Sequence, residues 1–207
     1  AWRLTPHMPG IVISQRMVQV VANDSFCQPR RTMDPNMTSQ NPMSHLLNPW
    51  VFLATGFGAG FTPKAPGTVG TLLSMPLFIV LAYWHWAVSA AVLIVMFGAG
   101  VVICDRAAAI LRLKDPGSIV WDEFVGMGIT VLALTPILSF ADAVWWLVAF
   151  ILFRLFDIAK PWPARYFDRW SGGMGIMMDD VAAGFYAFCC LQALILLDAW
   201  LLGVLLS

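Results

Sequence analysis

The sequence is poor in charge. Asp, Glu, Lys and Arg make up only 12% of its 207 residues, about half the share carried by a soluble domain. It also has no bias of sign: 12 basic residues face 12 acidic ones, and no long basic stripe forms. That argues against nucleic acid as a partner. Cys27, Cys104, Cys189 and Cys190 make no C-x-x-C pair, and they have no ligand spacing with His7, His45 or His85. A zinc site and a disulfide framework are thereby set aside, and Cys104, Cys189 and Cys190 read as small apolar residues. What is abundant is apolar: 59% of the chain is hydrophobic, with ten Trp. These residues come in long runs without amphipathic rhythm, which points to an all-α, multi-pass membrane protein.

Residues 1–45 differ from the rest. "NDSFCQPRRTMDPNMTSQNPMS" is polar, Pro-rich and aperiodic, so this stretch is expected to be disordered or a mis-assigned extension. "GIVISQRMVQVVA" is too short and interrupted for a signal peptide. The chain begins with Ala, and Met37 and Met43 are candidate starts.

From residue 46 onward, about five hydrophobic helices are expected. Val69 to Cys104 holds two, with Trp84, His85 and Trp86 at the interface between them. A third starts after Glu123 and reaches about Leu138, a fourth covers roughly Ala143 to Phe156, and a fifth roughly Val181 to Leu197. "PWVFLATGFGAGF" is too weakly apolar to span and reads as interfacial or partly re-entrant. Following the turns, Lys64, Arg106, Arg112, Lys114, Arg154, Lys160, Arg165 and Arg169 fall on one side; the other holds Asp142, Asp198 and His85 but no Lys or Arg. The positive-inside rule makes the basic side cytoplasmic, so its polar loops face the cytoplasm.

The same alternation brings acids to that face. Asp122 and Glu123 open the third span, Asp157 closes the fourth, and Asp179 and Asp180 open the fifth. Asp122 precedes Gly126 and Asp180 precedes Gly184 by one helical turn. An acid and a glycine four apart share a helix face, and glycine admits a neighbouring helix closely. Capping of helix N-termini explains one carboxylate at each place, but each place has two. Two carboxylates ~5 Å apart repel by roughly 3 kcal/mol at an effective dielectric of about 20. Such a cluster must protonate or share a cation. Mg²⁺, which suits a few carboxylates with waters and phosphate oxygens, is the economical answer.

Basic residues interleave with these acids. Arg154, just inside the fourth span, is expected to pair with an acid or a phosphate. Lys160 precedes Pro161 and should leave the helix at headgroup depth. Arg165 and Arg169 read as positive-inside anchors. "GFTPKAPGTVGT", with Lys64, Thr68 and Thr71 before a helix, has the donors of an anion cradle, though an ordinary turn is the commoner explanation for such a stretch.

Four motifs in order, "FTPKAPGTVGT", "DPGSIVWDEFVGM", "FRLFDIAKPWPARYFDR" and "GGMGIMMDDVAAG", resemble the bacterial phosphatidylglycerophosphatase A family over roughly Leu46 to Leu197. The resemblance implies a helical membrane phosphatase domain over residues 46–207, seated in the inner membrane. It also implies Mg²⁺-dependent removal of the terminal phosphate of phosphatidylglycerol phosphate. Carried over by motif, Asp122, Glu123, Asp157, Asp179 and Asp180 would form the metal and catalytic centre. Lys64, Thr68, Arg154 and Lys160 would bind the substrate. Thr71 stands where the family more often has serine, which keeps the hydroxyl. Residues 1–45 have no counterpart.

Other phosphatase chemistries leave marks absent here. No paired histidines lie near the acids, Cys104 is followed by Arg106 rather than Cys-x5-Arg, and no DxDxT loop occurs. Metal-assisted attack of water remains, with one carboxylate orienting or deprotonating it. Three rivals stand beside it. A transporter would place its acids near the midplane. Another Mg²⁺-dependent lipid headgroup enzyme, a CDP-alcohol phosphotransferase, would carry D-x2-D-G-x2-A-R, which is not found. For a non-catalytic membrane subunit, so dense a polar cluster would be surplus.

Overall fold

The computed structural model describes residues 46–113, 116–167 and 169–206. The expectations of disorder over residues 1–45 and of a start at Met37 or Met43 lie outside the described residues, as does Lys114. The described residues are helical, without a strand among them: α1 (Pro49–Ala54), a 3₁₀ turn (Ala59–Phe61), α2 (Pro66–Leu81), α3 (Trp86–Leu111), α4 (Trp121–Thr130), α5 (Phe140–Ala159), α6 (Ala164–Phe167) and α7 (Gly173–Leu206).

Local chemistry sets the helix ends. Pro66 opens α2, where its fixed φ suits the first turn and its missing N–H costs nothing. His85 caps α3, its Nδ1 accepting from Ala87 N at 3.3 Å. Ser139 and Asp142 form a capping box at the start of α5. That helix stops at Lys160, which has left-handed φ 41° and ψ 63° and precedes Pro161. The N-terminus of α7 is closed by a side chain from α3, with Gly173 N donating to Asp105 Oδ1 at 3.2 Å.

The short helix α4 is the hub. It packs against α2, α3, α5 and α7, and residues Glu123 through Gly128 and Thr130 are all buried. Its Met127 lies in the core with Trp146 and Phe153 of α5 and Met177 and Leu191 of α7. Gly126 and Gly184 face one another: a Cβ on Gly184 would collide with the Gly126 carbonyl oxygen, and one on Gly126 would sit 2.8 Å from the Asp180 carbonyl oxygen. Thr130 Oγ1 joins the crossing, lying 3.0 Å from Gly126 O and 3.3 Å from Gly184 O. The acid–glycine spacing thus marks where α4 and α7 touch.

Among the described residues two helices are long and apolar enough to cross a membrane, Trp86–Leu111 and Gly173–Leu205, fewer than the five expected. The reasons are local. The apolar run after Glu123 stops being helical at Thr130, and Trp146 Nε1 fastens the following chain by donating to Thr135 O at 3.0 Å. The 16-residue α2 is short and contains Pro76. The 20-residue α5 carries Asp142, Arg154 and Asp157. "PWVFLATGFGAGF" becomes the six-residue α1 and the 3₁₀ turn, too short to cross. Ala54 O accepts from Val120 N at 2.9 Å, which ties α1 to the entry of α4.

Candidate active site

Four helix ends meet where the acids lie: the starts of α2, α4 and α7 and the finish of α5. Asp122 and Glu123 occupy the first turn of α4, where the helix dipole favours them. Asp179 and Asp180 do not open a helix. Because α7 already begins at Gly173, they lie in its second turn and have no cap to make. Asp179 is 7% exposed and Asp180 3%, so solvent does not relieve their charge.

Basic side chains partly balance the acids. Arg154 Nη1 is 2.7 Å from Asp157 Oδ2, one turn away on α5, and 3.2 Å from Glu123 Oε1 on α4. Lys160 Nζ is 2.7 Å from Asp179 Oδ2. The left-handed backbone of Lys160, which a non-glycine residue holds only under strain, ends α5 where its side chain reaches that acid. Thr71, fully buried, shares its hydroxyl between Gly67 O at 2.9 Å and Glu123 Oε2 at 3.2 Å. Gly67 lies so close that a Cβ there would run into Glu123 Oε1 and approach Arg154 Nη1 to 2.9 Å.

Among the described residues these two cations meet Glu123, Asp157 and Asp179. The charges of Asp122, Asp157, Asp179 and Glu123 all act on the buried Asp180. Asp180 Oδ2 is buried with no hydrogen-bond partner, and so is Arg154 Nε. One orphan is an acceptor lacking a positive partner, the other a donor lacking a negative one. Burial above all pushes the Glu123 carboxyl up to about 7; Arg154 opposes that rise and Asp157 adds to it. Among the described residues, no group of three or more His, Cys, Asp or Glu side chains stands close enough together to hold a metal ion by itself.

The anticipated substrate-binding residues divide. Arg154 and Lys160 are within the cluster, engaged with acids. Lys64 is exposed and Thr68 half-buried at the start of α2, and the hydroxyl of that segment that reaches an acid belongs to Thr71. Thr68 and Thr71 are one helical turn apart and share a face, so helix phase alone could not have favoured Thr71 over Thr68.

Comparison with known proteins identifies the family. A family model described as Phosphatidylglycerophosphatase A matches residues 52–195, a range containing all five acids. Phosphatidylglycerophosphatase A of Escherichia coli is 44% identical over 140 residues, covering 67% of this chain and 79% of that protein. The protein of the same name from Haemophilus influenzae is 46% identical over 158 residues, covering 73% of this chain and 93% of its own. A Bacteroides thetaiotaomicron protein provisionally named phosphatidylinositol-3-phosphatase is 39% identical over 161 residues, 74% of this chain and 95% of that one. No solved structure matches. The family match covers well over half of the sequence and the relatives are matched over most of their length: the chain is an enzyme, a phosphatase, and belongs to the phosphatidylglycerophosphatase A family.

Proposed function

We propose that the protein hydrolyses the terminal phosphate of phosphatidylglycerol phosphate to phosphatidylglycerol and inorganic phosphate, using Mg²⁺, at the cytoplasmic face of a bacterial inner membrane. The observation that carries this reading is the pair of buried orphans, Asp180 Oδ2 and Arg154 Nε, set among Asp122, Glu123, Asp157 and Asp179. A site that lacks one cation and one anion suits a divalent metal and a phosphate. The family membership and the names of the Escherichia coli and Haemophilus influenzae relatives favour this lipid phosphate.

The residues fit the metal on the chemistry of their donors. All are hard carboxylate oxygens, and Mg²⁺ keeps several waters and needs only one or two carboxylates beside substrate phosphate, so a complete protein cage is not required. Asp180, with Asp122 and Asp179 beside it, would hold the ion, and Glu123 and Asp157 would complete the acidic set. Bound there, Mg²⁺ would polarise the phosphoryl oxygens and neutralise charge as it develops.

The chain's own groups do the rest. Arg154 Nε offers a donor to a phosphoryl oxygen, while its Nη1 stays fixed on Glu123 and Asp157. Lys160 holds Asp179 and can share its charge with the phosphate. A carboxylate of the cluster positions the attacking water and takes its proton. Thr71 and Gly67 hold Glu123 against α2, which keeps the water-side geometry fixed. The tails of the substrate stay among the apolar helices while its headgroup reaches the acids.

Purified protein in detergent is expected to release phosphate from phosphatidylglycerol phosphate with Mg²⁺ and to stop with EDTA. Full activity in chelator would reject the metal. The Bacteroides thetaiotaomicron relative raises a second substrate, phosphatidylinositol 3-phosphate, and faster release from that lipid would make it the better reading.

A further inference from the structure

Beside the acids, on the far side of Lys160, lies a cavity of about 500 Å³ lined by Lys160, Pro161, Trp162, Arg165, Tyr166 and Arg169. Resting on the lipid-phosphatase reading, we propose that this cavity holds the phosphodiester of the lipid headgroup. It would thereby select lipids that carry a second phosphate one short polyol away from the phosphate that reacts.

Charge and position support this. Three of the described lining residues are basic and none is acidic, in a chain whose net charge is zero. Arg165 offers the planar donor fork that suits phosphate, and Arg169 adds positive charge to the same wall. The cavity is joined to the acids by one side chain: Lys160 forms part of its wall and places Nζ 2.7 Å from Asp179 Oδ2. A headgroup with a monoester at the acids therefore has its diester at the cavity, with Lys160 between the two.

The cavity is also held still relative to the acids. Tyr186, on α7 beyond Asp180, donates from its hydroxyl to Trp162 O at 2.8 Å, and its ring stacks with Phe156 of α5. Ala164 is buried, and Tyr166, Phe167 and Trp170 pack edge to face. The segment carrying Arg165 is thus fastened to the helix carrying Asp179 and Asp180. Trp162, 79% exposed, and Tyr166 provide the amphipathic rings that settle at headgroup depth. Anchoring to the membrane surface accounts for arginines on this face, but not for three cations around one cavity abutting the acids.

Product inhibition separates the two phosphates, because phosphatidylglycerol retains only the diester and inorganic phosphate resembles only the monoester. The wild type, Arg165→Gln and the Arg165→Gln/Arg169→Gln double variant are assayed in mixed micelles on phosphatidylglycerol phosphate, with each product as inhibitor. Arg165→Gln is expected to raise KM and the inhibition constant for phosphatidylglycerol roughly tenfold, as loss of one charge-assisted hydrogen bond implies. The constant for inorganic phosphate should hold within about twofold, and kcat should fall less than KM rises, as expected for a binding contact remote from the reacting bond. Arg112→Gln, an exposed cation outside the cavity, reports any general effect of surface charge. An equal rise for inorganic phosphate would assign the cavity to the reacting phosphate or to free phosphate. An equal effect of Arg112→Gln, or no effect of either cavity variant, would also overturn the proposal. A wild type that turns over while the variants behave like it sinks the cavity alone; a wild type without turnover sinks the lipid-phosphatase reading as well.

Discussion

Asp142 and Asp180 are both aspartates near one end of a long apolar helix, and their surroundings are opposite. Asp142 is solvated and structural: its Oδ2 accepts from Leu138 N at 3.1 Å and from Ser139 N and Oγ at 2.8 Å each. Those donors hold its carboxyl below the ordinary range. Asp180 is buried, is repelled by four other carboxylates, and keeps one oxygen without a donor. When an acid serves the fold, its donors are present in the fold. Asp180 Oδ2 has no such donor, and on the proposed reading a bound cation takes that place.

The comparison is tested most severely by exchanging each acid for its amide. Asp180→Asn should lower turnover of phosphatidylglycerol phosphate by roughly a thousandfold, the scale of lost active-site electrostatics, with a thermal midpoint held or raised because a buried charge is gone. A large fall in thermal midpoint would return Asp180 to a structural role. Arg154→Gln should damage both activity and folding. It leaves Glu123 and Asp157 without their shared cation, and breaking so enclosed a pair costs about 3 kcal/mol. Thermal unfolding in detergent reads the second effect, and a variant as stable as the wild type would show that the pair contributes little.

Smaller effects sharpen the contrast. Gly184→Ala pushes a methyl group into the Gly126 carbonyl and should cost about 1–3 kcal/mol, as overpacking does; an unchanged midpoint would mean that the helices separate without penalty. Asp142→Asn should leave turnover intact and lower the thermal midpoint slightly at neutral pH. Its folded pKa is depressed, so its contribution is present above the unfolded carboxylate value and fades as pH falls through the folded one. Wild type and variant should therefore converge in acid, and a gap that persists there would contradict the capping account.

Particular residues explain what the sequence could and could not disclose. The contact between α4 and α7 was legible because an acid and a glycine one turn apart, found twice, mark two helix faces that can touch. The start of α7 was not. From its composition alone "SGGMG" (171–175) fits an anion-binding turn or a flexible linker, yet α7 begins inside it, because Asp105 from another helix caps Gly173 and local propensity carries no trace of that partner. The end of α4 at Thr130 was hidden for the same reason, since an apolar run does not reveal that Trp146 will bind the backbone beyond it. Arg154 and Lys160 were recognisable as cations near acids, but which acids they hold depends on how three helices pack.

The central claim is that these carboxylates share one divalent ion. Mn²⁺ binding to the purified protein in detergent, followed by electron paramagnetic resonance with Mg²⁺ as competitor, tests it without recourse to turnover. Saturable binding that Mg²⁺ displaces, lost in Asp180→Asn and retained in Asp142→Asn, is the result expected. Binding that is absent from the wild type, or that survives Asp180→Asn unchanged, would contradict it.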